Sequence, residues 1–189
     1  MLMRIRLAKF DDLSAILAIS NWAAINTAAN FALEPETLES WQEEWRETHE
    51  LYPYVVAVDH DNAIVGFAKA TPWKGRCAYT YSAEVTVYVH PDHQSHGVGK
   101  ALYGRLMPTL KAQGYHTLLA GITQPNEASV RLHESFGFKR AALFERVGWK
   151  FDRWHDVGYW ELLLQEETVR PSPIVAVREA ASGMELGAG

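Results

Sequence analysis

Val87-Tyr88-Val89-His90-Pro91-Asp92-His93-Gln94-Ser95-His96-Gly97-Val98-Gly99-Lys100-Ala101-Leu102 decides how the rest of the chain is read. With Val85 and Thr86 before it, the opening is β-branched and aromatic and reads as a strand. A polar loop holding Gly97 and Gly99 follows. An amphipathic run then places apolar residues at Ala101, Leu102, Leu106 and Leu110. Strand, glycine loop and helix start together present free backbone N–H groups and the positive end of a helix dipole, a combination that binds phosphate. Neither glycine has a Cβ, so the backbone can approach an anion closely, and a pyrophosphate site is expected there. The same glycines would also serve a plain strand-to-helix turn. No Gly-Lys-Ser/Thr closes the loop, which disfavours a P-loop, and no third glycine completes the dinucleotide fingerprint.

Composition narrows the class. A chain of 189 residues with 48% hydrophobic and 22% charged residues predicts one ordinary globular domain with a genuine core. A net charge of −5, with no basic cluster among the aromatics, argues against nucleic-acid binding. Cys77 is the only cysteine, which excludes an internal disulfide and fits a reducing compartment. Met1 to Phe10 lacks the apolar stretch of a signal peptide, and no run reaches membrane-spanning length. A soluble cytoplasmic protein is the expectation. Aromatic residues cluster between Trp73 and Tyr88 beside Lys74, Arg76 and Glu84, which reads as a pocket wall.

Periodicity supplies the other elements. Ile5 and Leu7 alternate with arginines in a short edge strand. Asp11 or Asp12 is placed to cap a helix bearing Leu13, Ile16, Leu17 and Ile19. Asn26 to Glu34 reads as a loop. Pro35 suits the first turn of a second helix with Leu38, Trp41 and Trp45 on one stripe. Tyr54–Val58 and Ala63–Ala70 form a hairpin about an Asp59–Asn62 turn, and Tyr79 to Val89 reads as one long strand. The helix after the glycine loop runs to about Ala112 and stops at Gly114. Thr117–Ile122 is a strand, and Asn126 caps a helix ending at Gly137. Phe138–Val147 and Tyr159–Leu164 are closing strands joined by an aromatic loop through Trp149, Trp154 and His155. From Gln165 the chain turns rich in Ala, Gly and Glu and reads as a tail outside the core.

These motifs carry a resemblance. The Gln94-x-x-Gly97-x-Gly99 spacing resembles the coenzyme A loop of the GNAT superfamily of N-acetyltransferases, and the element order and the Asn126-x-x-Ser129…Gly137-Phe138 block match the same pattern. Longer strings resemble the phosphinothricin N-acetyltransferases: Pro72-Trp73-Lys74-Gly75-Arg76-Cys77-Ala78-Tyr79, Ala83-Glu84-x-Thr86-Val87-Tyr88-Val89, His93-Gln94 and Trp154-His155-Asp156-Val157-Gly158. The resemblance implies an α/β GNAT-type fold over 1–165, a mixed, mostly antiparallel splayed sheet flanked by helices, with a flexible tail over 166–189. It also implies transfer of acetyl from acetyl-CoA to the primary amine of phosphinothricin, a glutamate analogue, an activity associated with herbicide resistance. Related members act on methionine sulfoximine or methionine sulfone. They are usually homodimers, for which the aromatic C-terminal strands would be the interface. A silent acetyl-CoA-binding module is the contrasting reading, disfavoured by the presence of both Glu84 and His133.

The same resemblance distributes the roles. Glu84, a carboxylate in an apolar and aromatic strand, becomes the general base, where an arbitrary strand glutamate would be a solvated one. His133 stands where many GNAT enzymes carry tyrosine and would protonate the departing thiolate or relay the amine proton; periodicity alone equally allows an exposed histidine between Arg131 and Glu134. Lys74, Arg76 and Tyr79 would line the acceptor pocket, with hydroxyls from Thr86 and Tyr88 on the strand face of Glu84. Phe31 would be the lid over the acceptor. Val87, Tyr88 and Val89 would run beside the pantetheine arm. Gln94, Ser95, His96, Gly97, Val98, Gly99 and Lys100 would surround the pyrophosphate, and Asn126 would contact the pantetheine or sulfur end. Cys77 lies at a variable position, so direct attack of the amine is expected. Ser95-His96 makes the phosphate loop less cationic than the family pattern, and Thr123 stands where that pattern has glycine. No metal is expected: His90, His93 and His96 are spaced three apart, but no Cys or carboxylate completes a site.

Overall fold

Seven strands form one sheet in the order β1-β2-β3-β4-β5-β7-β6, and only the β4–β5 contact is parallel. The computed structural model describes residues 3–166 and 170–186, with side chains as far as Ser182. The elements are β1 (Arg4–Leu7), α1 (Leu13–Asn26), α2 (Leu38–Thr48), β2 (Tyr54–Val58), β3 (Ile64–Pro72), β4 (Ser82–Val89), α3 (Val98–Gln113), β5 (Thr117–Gln124), α4 (Glu127–Ser135), β6 (Lys139–Lys150), β7 (Arg153–Leu163) and α5 (Val177–Leu186). This is the mixed, mostly antiparallel sheet flanked by helices that the sequence predicts.

Each sheet face has its own core. On one, Val55, Ala68, Val85 and Leu118 pack with Leu102, Leu106 and Leu110 of α3. On the other, Val56, Val58 and Phe67 meet Leu13, Ile16 and Ile19 of α1 and Trp41 and Trp45 of α2. The period-2 alternation of the strands feeds both cores at once, which is why β2 is buried at every position. Between β4 and β5 the ladder covers only Ser82–Glu84 against Thr117–Leu119. Beyond it β4 continues to Val89 and β5 to Gln124, so the strands part and their facing edges open. Among the described residues no helix is long and apolar enough to cross a membrane.

Five local readings are corrected. Asp12 does not cap α1: its carboxylate accepts from the Lys9 N–H at 2.7 Å and from Arg6 Nη1 and Nη2 at 2.6 and 2.9 Å, locking β1 to the turn before the helix. The second helix begins after Pro35, with Thr37 Oγ1 accepting from the Ser40 N–H at 3.2 Å. The strand bearing Glu84 begins at Ser82, because Cys77–Tyr79 form a single 3₁₀ turn. The aromatic loop is a tight hairpin: Trp149 pairs with Trp154 and Lys150 with Arg153 across Phe151 and Asp152, at φ 51° and 54°. Two left-handed residues match the strand twist, but Phe-Asp carries none of the usual Asn-Gly signature. Finally, part of the expected tail forms α5, which buries Val177, Ala180 and Ala181. Small residues at i, i+3 and i+4 make an apolar stripe that composition alone conceals. The Gln113 side-chain amide donates to the carbonyls of Leu51 (2.8 Å) and Val175 (3.0 Å), and the Val175 N–H donates to the Gln113 carbonyl at 2.9 Å.

Candidate active site

The pleat of β4 sorts its residues. Ala83 and Val85 are buried against the α3 side, while Glu84, Thr86 and Tyr88 alternate onto the other face and stay half-buried. Glu84 is the last β4 residue paired with β5, so its carboxyl stands where the strands part. Gly121 faces it from β5: a Cβ there would lie 3.4 Å from Glu84 Oε1, 3.4 Å from Tyr159 Oη and 3.3 Å from Tyr159 Cζ. The missing side chain leaves room for carboxyl and phenol together. Burial raises the pKa of Glu84, opposed by the charge of Lys74 and by the Gly121 backbone N–H. Burial and the neighbouring Glu84 raise that of Tyr159. Trp73 meets Tyr159 edge-on at 5.3 Å between ring centroids, Phe144 meets it at 5.7 Å, and Lys74 Nζ lies 4.8 Å over the Trp73 ring.

The other candidates separate into groups. Lys74, Arg76 and Tyr79 are all exposed, and their side chains make no hydrogen bond or ion pair among the described residues, but the charge of Lys74 is felt at Glu84. Thr86 lies between Glu84 and Tyr88 on one face. The Tyr88 hydroxyl is engaged, donating to the Ala29 carbonyl at 3.0 Å, so it ties β4 to the loop after α1. Phe31, in that loop, has its ring against Gly148 and 6.0 Å from the His155 ring. Thr123 is two residues beyond Gly121 on the same face of β5, so the open space lies over 121.

His133 is no surface residue. It is 3% exposed, edge-on to Tyr103 and Phe138 at 5.2 Å each. Its Nδ1 lies 2.8 Å from the Ser129 carbonyl, which only accepts, so Nδ1 carries the proton and Nε2 accepts from the Tyr103 hydroxyl at 2.8 Å. Burial lowers its pKa, opposed by the Ser129 bond, which favours the neutral ring. Both nitrogens are therefore engaged, Ser129 Oγ lies a further 3.4 Å from Nδ1, and Tyr103 is itself fully buried.

The glycine loop works differently at its two glycines. Ser95 (φ 62°) and Gly97 (φ 78°) are both left-handed, and Gly97 ends the loop where α3 begins. The Ala101 N–H donates to the Gly97 carbonyl at 3.0 Å, leaving the amides of Val98, Gly99 and Lys100 without helical partners. A Cβ at 97 would meet nothing within 4 Å, but one at 99 would lie 3.0 Å from Leu132 Cδ2. Gly99 thus also serves the packing of α4 on α3. Val98 is buried, so only its backbone faces the loop; Gln94, Ser95, His96 and Lys100 are exposed, and Gln94 Nε2 donates to the Val89 carbonyl at 3.4 Å. Asn126 Oδ1 caps α4 through the Ser129 N–H at 3.1 Å. Unpaired amides at a helix start beside an open strand edge fit an extended ligand that ends in a pyrophosphate.

Residues 17–138 match the acetyltransferase (GNAT) family. The chain belongs to that family. Phosphinothricin N-acetyltransferase of Streptomyces viridochromogenes is 37% identical to it over 174 residues, 92% of each chain. The L-methionine sulfoximine/L-methionine sulfone acetyltransferase of Salmonella typhimurium is 39% identical over 166 residues, 87% of this chain and 96% of its own. A GNAT superfamily phosphinothricin acetyltransferase from Sinorhizobium meliloti, solved in complex with AcCoA, aligns with a TM-score of 0.86 at 31% identity over 93% of this chain and 96% of that one. The protein is accordingly a GNAT N-acetyltransferase. In this GNAT enzyme the site includes Gly121, Phe144 and Tyr159, which sequence reasoning missed. The β7 strand that carries Tyr159 neighbours β5 only because the sheet order inverts the last two strands, and no local pattern announces that.

Proposed function

We propose that this enzyme transfers the acetyl group of acetyl-CoA to the primary amine of phosphinothricin or a similar amino-acid analogue, with Glu84 as the base. The observation that carries the reading is the desolvated Glu84 carboxyl at the parting of β4 and β5, with Lys74 beside it. Acetyl-CoA supplies an activated acetyl thioester when bound. An ammonium cannot attack until it loses a proton, and a carboxylate with a raised pKa accepts that proton more readily, directly or through water. Val87 and Val89 offer main-chain groups along the open edge, and the amides of Val98, Gly99 and Lys100 meet the pyrophosphate. Lys74 draws the acceptor's anionic end, with Arg76 and Tyr79 on the same loop and Phe31 as the lid. His133 would protonate the departing coenzyme A thiolate or relay the amine proton, a role that requires its bonds to Ser129 and to the buried Tyr103 to open. Cys77, exposed on that loop, is no acyl carrier in this scheme, so the amine attacks directly.

A second acceptor class is favoured by one observation: Lys74 is the loop cation whose charge acts on Glu84, and a single cation also suits the neutral polar ends of methionine sulfoximine or sulfone. Thiol release measured over the three acceptors separates these. Phosphinothricin is expected to give kcat/KM about tenfold above the others, in line with one well-placed ionic contact. The reverse ranking assigns the enzyme to the sulfoximine type. Tight acetyl-CoA binding with no product on any amine overturns enzymatic function in favour of a binding module. We also propose a cytoplasmic homodimer. The free Cys77 supports the compartment, and the exposed apolar residues of β6 and β7 support the assembly.

A further inference from the structure

Lys150 is a buried charge that the scheme above leaves without a task. It is 4% exposed, and no carboxylate among the described residues lies within ion-pair distance of it. Its ammonium donates instead to three backbone carbonyls: Ala24, Asn30 at 2.5 Å and Ala32 at 2.8 Å. The first belongs to the last turn of α1, where carbonyls have no helical partner and the dipole is negative. The other two flank Phe31. A lysine has three N–H donors, and all three are spent on the two ends of one short segment.

The surroundings converge on the same ring. A Cβ at Gly148, two residues before Lys150, would lie 2.2 Å from Phe31 Cε2, so the phenyl ring rests on the bare backbone of β6. His155, buried and 6.0 Å from that ring, donates its Nε2–H to the Lys150 carbonyl at 2.9 Å. Asn30 Oδ1 accepts from the Ala32 N–H at 2.8 Å, closing the turn around Phe31. Tyr88, on the face of Glu84, holds Ala29. The loop is thus tied to β4 on one side and to the β6–β7 hairpin on the other.

We infer that Lys150 is a positioning residue, whose three carbonyl bonds set where the Phe31 ring stands over the acceptor. The inference rests on the reading of Phe31 as the acceptor's lid. Burying an ammonium with no carboxylate partner is costly, and here the cost is offset by bonding each N–H to a carbonyl. What the charge adds is direction. It aims the backbone on both sides of residue 31, and a small displacement at a reacting site has large kinetic effects.

Steady-state kinetics on the full chain test this, with acceptor and acetyl-CoA varied separately. Lys150→Met keeps the length of the side chain and removes the donors. It is expected to raise the acceptor KM by about tenfold while acetyl-CoA KM stays within about twofold. Gly148→Ala, which leaves the lysine but pushes a methyl group into the ring, is expected to do the same. Phe31→Ala alone should raise the acceptor KM, and should add less than about twofold on top of Lys150→Met, because coupled residues are not additive. If Phe31→Ala raises the acceptor KM and Lys150→Met does not, the positioning role is wrong and the lid stands. If Phe31→Ala has no effect, the lid reading fails and takes this inference with it. Equal losses for both substrates in Lys150→Met mark a merely structural residue and overturn it. Should Lys150→Met not fold, an unchanged acceptor KM in Gly148→Ala overturns it instead.

Discussion

Glu84 holds two demands in opposition. A carboxyl whose pKa is raised in the folded protein contributes its stability below its unfolded pKa, about 4.3, and loses it as pH rises through the folded value. Above the folded value the ionised group is a net cost to stability, which the proposed role as base would explain. Glu84→Gln is therefore expected to lower kcat by about 10²-fold or more, with acetyl-CoA affinity unchanged and a melting temperature equal to or above the parent. Unchanged turnover at neutral pH would falsify the base assignment. Lys74 makes a sharper test. Its charge pulls the Glu84 pKa down, so Lys74→Met is expected to move the acid limb of the kcat/KM profile to higher pH. Lys74 is exposed, so the displacement is small. A limb that stays put, or moves to lower pH, removes the lysine from the field of the carboxyl.

At the level of elements, α3 carries the most specific expectation. Gly97, at φ 78°, occupies a conformation that costs an L-residue about 1–2 kcal/mol. Gly97→Ala should lower unfolding free energy by that amount in a denaturant titration. It should also weaken acetyl-CoA binding in calorimetry, because the first amides of α3 follow directly from that residue. Retained affinity alongside the stability loss would mean that the helix start does not hold the phosphates. The elements also show which local signals suffice. The strand, glycine loop and helix around 85–113 were legible because alternation, a left-handed glycine and a 3.6-residue stripe all lie within a few residues of one another. The Phe151-Asp152 turn was not legible, because its backbone demand is met by residues that usually avoid it. Nor was α5, whose burial depends on a groove that α3 and Glu50 provide from elsewhere.

For the molecule as a whole, β6 is an edge strand with an unusually apolar surface. Leu143, Val147, Trp149, Phe151 and Trp154 are each at least 41% exposed along the β6–β7 hairpin. In the proposed homodimer a second copy of the chain would cover this exposed apolar edge symmetrically. Sedimentation equilibrium is expected to give twice the 21.3 kDa chain mass. Val147→Glu with Trp154→Glu should return the monomer, since two carboxylates in an apolar contact are not readily desolvated. A parent protein that sediments as one chain at micromolar concentration rules the assembly out.

By itself, the sequence determined the strand, glycine loop and helix, the candidate base within an aromatic strand, and membership of an acyltransferase family. Each is written in residues that are neighbours along the chain. Only the tertiary structure decided that Gly121 and Tyr159 surround the Glu84 carboxyl, that His133 is spent on Ser129 and Tyr103, and that Lys150 reaches Asn30 from 120 positions away. Those contacts depend on strand order and helix packing, and a contact between distant residues leaves no periodicity in either segment from which it could be read.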